Sequence, residues 1–471
     1  MFSNGGGTNQ TDSNGHFTHS LRTGWSGTIT PISSSGFFAP TEYQITDLQE
    51  DTAGLDFFGT LMCFVNASAT GDNSGSSWEN AYTNLASALD KTPANIEIWV
   101  ACGTYKPGSL RDSSFVFNLG QIAYGGFAGT EARRELRDWR KNLTVLSGDI
   151  GILNVVTDNC YTVVRGGRDR VAAGARIDGF TITGGNSDCT IDYGTSTEFA
   201  RGFGGGVYVC LWDYPSTEAA SFVVDHCVVS NNYACNDLGG PYDGAGGGLY
   251  HCIARNSLLL NNEAVVGSAA YDCILENCTV VNNTTKIEAN AVEGGALTNC
   301  IVYFNTPYNC YENVSGYTCT TDDSYLTGIG NITADPKFVN TAAADFMIAT
   351  DSPCKNAGTT CAWMAGAKDL KGDNRISGTA PDMGAYEIQA TLPSLTQQLP
   401  ESTLLTGTGF TVPVQTRCGW SYQLQYSTSL APASWQPVGG GAATVTGDGT
   451  VKTLVDPAPP TGRCYYRVMP Q

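Results

Sequence analysis

From residue 180 to residue 305, short apolar runs end on Gly or Asn and return at regular spacing. "FTITGG" begins at Phe180, "CVVSNN" at Cys227, "SLLLNN" at Ser257, "CTVVNN" at Cys278 and "CIVYFN" at Cys300. The later spacings are 30, 21 and 22 residues. A second phrase interleaves: "GGGVYVC" from Gly204, "GGGLYHC" from Gly246, "GSAAYDC" from Gly267 and "GGALTNC" from Gly294. In each a cysteine stands six residues after the first glycine, at Cys210, Cys252, Cys273 and Cys300. A period near 21 residues with two or three short apolar strands per period marks a solenoid. No helical period of 3.6 fits these runs, and the fixed Leu/Asn phrase of leucine-rich repeats is absent. The pattern predicts a parallel β-helix, all-β, whose equivalent residues stack about 4.8 Å apart. Val228, Leu258 and Thr279 should form one ladder, and Val229, Leu259 and Val280 the next. The pairs Asn231-Asn232, Asn261-Asn262 and Asn282-Asn283 fall at the following corner, where Asn tolerates left-handed backbone and can hydrogen-bond along a stack.

Outside the repeat the text changes twice. Residues 1–60 alternate short strands and turns, as in "GWSGTITP" and "EYQITDL". They resemble the last part of a carboxypeptidase-regulatory-like or immunoglobulin-like module, so the expectation is an incomplete module lacking its opening strand, with Met1 inside a domain. Residues 61–390 hold the β-helix and its cap. Trp78, Ala81, Leu85, Ala88 and Leu89 make an apolar helical stripe with Pro93 beyond it, and "IEIWVACGTY" reads as one buried strand. Arg133, Arg134, Arg137, Arg140 and Lys141 read as a solvated helix face rather than an anion site. After the linker "TLPSLTQQLPEST", residues 391–471 alternate as a small immunoglobulin- or fibronectin-like β-sandwich, with "GDGT" as a hairpin turn.

Charge narrows the partners. With 44 acidic against 25 basic residues the net charge is −19, which argues against nucleic acid or an anionic membrane as the main partner. No run reaches membrane-spanning length, so no membrane insertion by this chain is expected. The start "MFSNGGGTNQTDSNG" has no basic or apolar signal region, and an export signal is expected upstream. Seventeen cysteines is an odd count. Cys354 with Cys361, Cys310 with Cys319, and Cys418 with Cys464 are spaced like extracellular disulfides. Cys210, Cys252 and Cys273 are expected as a buried ladder of free thiols. No C-x-x-C spacing points to zinc.

"VLSGDI", "IDGFTITGGN", the "GG-x-x-Y-x-C" and "NCTVVNN" coils, "GNITADPKFV", "SPCKNAG" and "DLKGDNRISGTAPDMGAYE" together resemble bacterial right-handed parallel β-helix proteins of the pectate-lyase-like fold. These are the choice-of-anchor Q type, and the resemblance spans about Leu61 to Glu387. It implies a right-handed coil, sandwich modules at both ends, and an extracellular or cell-surface location without assigned chemistry.

Candidate chemistry is sparse. A polysaccharide lyase on such a scaffold needs a Lys or Arg base and usually carboxylates for Ca²⁺ on one face. Between Ile177 and Asn305 only Arg201, Arg255 and Lys286 qualify, at different phases. A glycosidase needs two carboxylates at a working separation; Asp149 and Asp178 read instead as turn or corner residues. His16, His19, His226 and His251 show no partner pattern. Asp369, Asp373 and Asp382 read as a turn held by Asp–backbone bonds, not a Ca²⁺ loop. No catalytic residue, metal ligand or cofactor is assigned. The insertions, about 187–203, 233–245 and 284–293, enter at one phase and should project from one face, next to the loop holding Trp212, Asp213 and Tyr214. Asp192, Tyr193, Asp237, Tyr242 and Asp243 belong to that face. Aromatics beside acids suit sugar rings. The expected function is a non-catalytic exported stalk, adhesin or carbohydrate-contacting module whose partner is polysaccharide or cell-surface glycan. The alternative is a polysaccharide lyase or glycoside hydrolase working in an exterior groove.

Overall fold

The computed structural model describes the chain except for residues 13–14, 32–35, 40–41, 93–95, 167–173, 189–201, 210–221, 236–243, 312–313, 322–325, 390–408, 417–420, 429–434, 441–442, 448–449, 461–463 and 471, with 36–39, 58–61, 415 and 470 described by backbone alone. It forms two compact units, Met1–Ile388 and Gln389–Gln471.

The first unit is a right-handed parallel β-helix. Its first wall has ten strands, from Gly36–Ala39 to Val314–Gly316. The second has eight, from Gly103–Tyr105 to Cys319–Thr320, and the third seven, from Phe115–Phe117 to Tyr308–Tyr311. One complete coil runs Ile253–Arg255, Leu258–Leu260, Glu263–Ala264 and Ala270–Tyr271. The short strand Glu263–Ala264 belongs to a fourth, four-stranded sheet between the second and third walls. Neighbouring coils pair in parallel in the register that the spacing predicts: Val228 with Leu258 with Thr279, and Val229 with Leu259 with Val280.

The second of these ladders points inward. Val229, Leu259 and Val280 are fully buried with Val224, Ala254 and Leu275 from the first wall. Each contributes roughly 1.5–3 kcal/mol of burial, and only stacking makes that burial possible. The outward ladder is covered too. After the last coil the chain returns across the second wall as a strap, residues 335–388, and lays Phe346, Leu370 and Ala385 on Leu258 and Val281. Ala385 N–H donates to Thr279 Oγ1 (3.0 Å), and Gly384 N–H to the Asn299 carbonyl (2.7 Å).

The paired asparagines divide the work of the corner. Asn231, Asn261 and Asn282 take φ of 54°, 54° and 56°, a left-handed turn that other side chains disfavour. The second Asn of each pair faces inward and forms a hydrogen-bonded ladder. Asn232 Nδ2 donates to Asn262 Oδ1 (3.0 Å), Asn262 to Asn283 (3.0 Å), Asn283 to Asn305 (2.9 Å) and Asn305 to Asn309 (2.9 Å). A buried amide left alone would cost about 1–3 kcal/mol, so the ladder also enforces register.

Several expectations need correction. The fourth glycine phrase, which ends at Cys300, does not stack in line with the other three. Gly295 precedes Ala296, which pairs with Ile274, so Gly295 stacks on Cys273 and Cys300 stacks on Cys278. The fourth glycine phrase shares a spacing with the others but sits at a different corner. The helix is Leu85–Lys91, because the Asn84 side chain caps Ala86 N and Ser87 N. Trp78 and Ala81 precede it and pack outside the first wall with Phe64, Trp99 and Phe127. "IEIWVACGTY" bends at Cys102 into Glu97–Ala101 and Gly103–Tyr105, the first coil's corner. The strand Phe58–Val65 runs across the expected boundary at residue 60, and Gly36–Ala39 pairs antiparallel with its first half, covering that wall edge. Cys319, Cys354, Cys361 and Cys464 are free thiols. Cys319 shares a core cluster with Cys354 rather than with Cys310, whose Sγ lies 3.7 Å from Thr320 Oγ1. Cys210 and Cys418 lie outside the described residues.

In the second unit Phe410–Gln415 pairs antiparallel with Val451–Asp456, and Ser421–Ser427 with Gln436–Pro437, Thr444–Thr446 and Tyr465–Pro470. Val412, Leu424, Leu454 and Val468 form its core.

Candidate functional site

All eight residues expected at the binding face, Asp192, Tyr193, Trp212, Asp213, Tyr214, Asp237, Tyr242 and Asp243, lie outside the described residues. Their flanks show which corners they leave. The three insertions depart after Asn186–Ser187, Tyr233–Ala234 and Thr284–Thr285 and return to the third wall. The Trp212 loop departs from the third-wall strand Val207–Val209 and rejoins the first wall at Val223–Asp225. By connectivity, both sets of loops border the third wall.

That wall carries an aligned outer row. Arg165, Tyr208, Tyr250, Tyr271, Glu293 and Tyr311 are in register on successive coils. Their neighbours Val164, Val207, Leu249, Ala270 and Val292 point into the core, as strand alternation requires. Tyr208 and Tyr250 stack with ring centroids 5.3 Å apart, Tyr250 and Tyr271 at 5.5 Å and 5°. Phe203 lies 5.2 Å from Tyr250, and His251 stacks on it at 4.1 Å. His251 Nε2 is 3.5 Å from Asp272. Rings stacked along the axis offer a ligand their edges and hydroxyls more than their faces. The sequence held this row in plain view as the Tyr of the "G-x-x-x-Y-x-C" phrase, but periodicity alone reads such a tyrosine as packing.

A second cluster lies at the corner between the first and second walls. Asp178, Asp225 and His226 bring three ligand atoms within 4.8 Å, all on buried side chains. Arg137 NH2 donates to Asp178 Oδ1 (2.5 Å), and Arg176 NH2 to Asp178 Oδ2 (2.9 Å) and to Asp225 Oδ2. Asn256 Nδ2 donates to Asp225 Oδ1 (3.0 Å). His226 Nδ1 lies 3.1 Å from Asp178 and 3.2 Å from Asp225, and Nε2 lies 2.9 Å from the strap carbonyl of Lys368. Both ring nitrogens therefore face acceptors, which suits the imidazolium. Burial works to lower the His226 pKa, but Asp225 and Asp178 outweigh it and raise it. Burial likewise works to raise Asp178, but Arg137, His226 and Arg176 hold it well below the usual carboxylate range. With two guanidinium groups and an imidazolium already on two carboxylates, the donor set fits an ion cluster and not a divalent-cation site.

The strap junction should accordingly weaken as pH rises. A His pKa raised by folding contributes stability that is full below the unfolded value, about 6.5, and is lost as pH rises through the folded value. We expect amides at Lys368–Leu370 to exchange faster at pH 9 than at pH 6 after correction for intrinsic rates. His226→Gln should remove most of that difference; an unchanged pH response in the variant would assign it elsewhere.

The remaining candidates are occupied structurally. The basic segment is a short 3₁₀ turn, Arg134–Leu136, not a solvated helix: Arg134 pairs with Glu97 (2.5 Å), Arg140 with Asp138 (2.9 Å), and Arg137 is buried on Asp178. Arg255 pairs with Glu276 (2.5 Å) beside Trp363, Lys286 lies over Tyr233, and Arg201 lies outside the described residues. Asp369 and Asp382 accept backbone N–H groups of Asp373, Glu387, Asn356 and Ile388 at 2.6–2.8 Å, the turn role read from the sequence. A half-open cavity of about 200 Å³ separates strap and second wall, lined by Trp139, Phe180, His226, Val228, Leu370 and Tyr386 among others. Its described lining contains no carboxylate.

No family model matches the sequence, and no curated protein does. Among solved structures the chain is similar to the pectate lyase Pel9A, with 13% identity, TM-score 0.29, and coverage of 69% of this chain and 96% of that one. It is also similar to the pectin methylesterase from Aspergillus niger, with 12% identity, TM-score 0.29, and coverage of 58% and 86%. At those scores neither carries an argument, and the fold rests on the strand registers described above. No described helix is long and apolar enough to cross a membrane.

Proposed function

We propose that this chain is a non-catalytic β-helix module that contacts neutral or amino-sugar glycan along its third wall. The observation carrying this reading is the outer row from Arg165 to Tyr311, bordered on both sides by loop-bearing corners. Tyrosine edges and hydroxyls, with the acids and aromatics of the adjoining loops, suit sugar hydroxyls and ring C–H groups. A net charge of −19 repels polyuronates, the acidic polysaccharides, while leaving neutral chains free to approach. The buried acid pair Asp178 and Asp225 is consumed by Arg137 and Arg176. The proposal includes an exported, cell-surface setting of the choice-of-anchor Q kind, with immunoglobulin-like flanks serving as spacers.

Binding to immobilised neutral, amino-sugar and acidic polysaccharides, with and without Ca²⁺, tests the reading. Neutral or amino-sugar binding is expected, weakened about tenfold by Tyr250→Ala with Tyr271→Ala, on the basis that each aromatic contact contributes about 0.5–1.5 kcal/mol. New reducing ends or unsaturated uronates would overturn the non-catalytic part. Unchanged binding in the double variant would move the site off the third wall.

A further inference from the structure

We propose that Cys235 and Lys286 are the two ends of an oxidation-formed S–O–N cross-link that staples the insertion corner across three coils. The fourth sheet stacks Tyr233 on Glu263 on Thr284. Cys235 and Lys286 each follow their short strand by one residue, so they occupy the same position two coils apart, with Val265 between. Lysine is the side chain long enough to reach back over that gap, and it does. Lys286 Nζ lies 3.7 Å from Cys235 Sγ, 4.5 Å from the Tyr233 ring centre and 3.8 Å from Glu263 Oε1, and it contacts Tyr233 Oη. The thiol is sheltered, 6% exposed, whereas the lysine side chain is 39% exposed. The Tyr233 hydroxyl interacts with both groups and so holds them on one another.

This arrangement differs from the stacked thiols elsewhere. Cys252 and Cys273 face sulfur to sulfur at 3.9 Å inside the core. At the corner a soft nucleophile and an amine meet where dissolved oxidant can reach them.

The oxidant is dioxygen. The thiol loses its S–H bond, the ammonium loses two of its three N–H bonds, the dioxygen O–O bond breaks, and S–O and O–N bonds form. Sulfur and nitrogen each give up two electrons, and dioxygen takes four. One oxygen atom is retained in the bridge and the other leaves as water. One proton is released, and Glu263 is placed to accept it. The product would fix the stem from which residues 236–243 depart, independently of any glycan bound on the third wall.

Peptide mapping of the whole protein decides the matter. One sample is kept in air-saturated buffer and one is prepared anaerobically with dithiothreitol. In air, a joined pair of peptides holding Cys235 and Lys286 is expected, heavier than their reduced sum by one oxygen less two hydrogens and separated by dithiothreitol. Lys286→Arg keeps a cation over Tyr233 but should abolish the link and leave Cys235 open to alkylation. Complete alkylation of Cys235 in the air-treated protein would overturn the proposal. So would finding its oxidation as a sulfinic acid or a disulfide, or a Cys235 adduct unchanged in Lys286→Arg. Should that variant fail to fold, mapping of the unmodified protein still returns one of these results.

Discussion

Replacing Arg375 with leucine is expected to cost about 3–5 kcal/mol and to loosen the strap before any coil, because it strands a buried carboxylate. Arg375 and Glu387 have side chains 0% exposed and meet at 2.8 Å. The guanidinium also donates to the Gly384 carbonyl (3.0 Å) and the Tyr386 carbonyl (3.2 Å). Glu387 in turn accepts from Ser377 N (3.0 Å) and Asp382 N (2.8 Å). The pair thus ties the two ends of one loop together. Without the cation, Glu387 must either stay charged in the interior or take up a proton. A solenoid need not unfold as one unit, so hydrogen exchange across residues 367–388 is the measurement, with urea unfolding beside it. Arg375→Leu combined with Glu387→Leu should lose less than the single change, since no lone charge remains. A single variant within 1 kcal/mol of the parent, or a double variant worse than the single, would show that the pair is not what holds the strap.

Asp178→Asn should be comparably severe, again about 3–5 kcal/mol, although it removes no heavy-atom volume. Arg176 and His226 would then keep Asp225 alone, and Arg137 would lose its carboxylate partner. The strap contact through Lys368 should weaken, and the His226 pKa should fall, because one of the two carboxylates that raise it is gone. NMR titration of His226 and the unfolding transition report the two effects separately. The parent protein should keep the Asp178 contribution throughout mild acid. A carboxyl whose pKa is lowered by folding stabilises above its unfolded value, about 3.9, and loses that contribution only as pH falls through its folded value. Asp149→Asn makes the contrast: its Oδ2 accepts one bond, from Asn154 N at 2.9 Å, so about 1 kcal/mol is expected. Equal losses at the two sites would mean that the ion cluster contributes no more than an ordinary turn.

The candidate face was legible only in part. Insertions at one phase of the repeat can be seen by aligning the coils, and the described flanks place them beside the third wall. The tyrosine row was present in the phrase that set the period. Recognising it as a surface required knowing which of Val207, Tyr208 and Val209 turns outward, and only the register and burial show that. The ion cluster was not legible at all. Arg137, Asp178, Asp225 and His226 carry no shared spacing, and the strap carbonyl that completes the set is 142 residues from His226.

The sequence by itself determined the coil. Short apolar strands closed by Gly and Asn at intervals of 21 and 22 residues can bury their inner faces only by stacking on copies of themselves, so period and ladder follow from local pattern. That held for Val229, Leu259 and Val280, and for the asparagines beside them. Tertiary structure alone decided where the phrase misleads, as at Cys300, and what covers the outward ladder of the second wall. It also decided which charges meet. An ion pair depends on which coil lies above which and on where the strap comes down, and neither distance is written in the chain around Asp178 or Arg375.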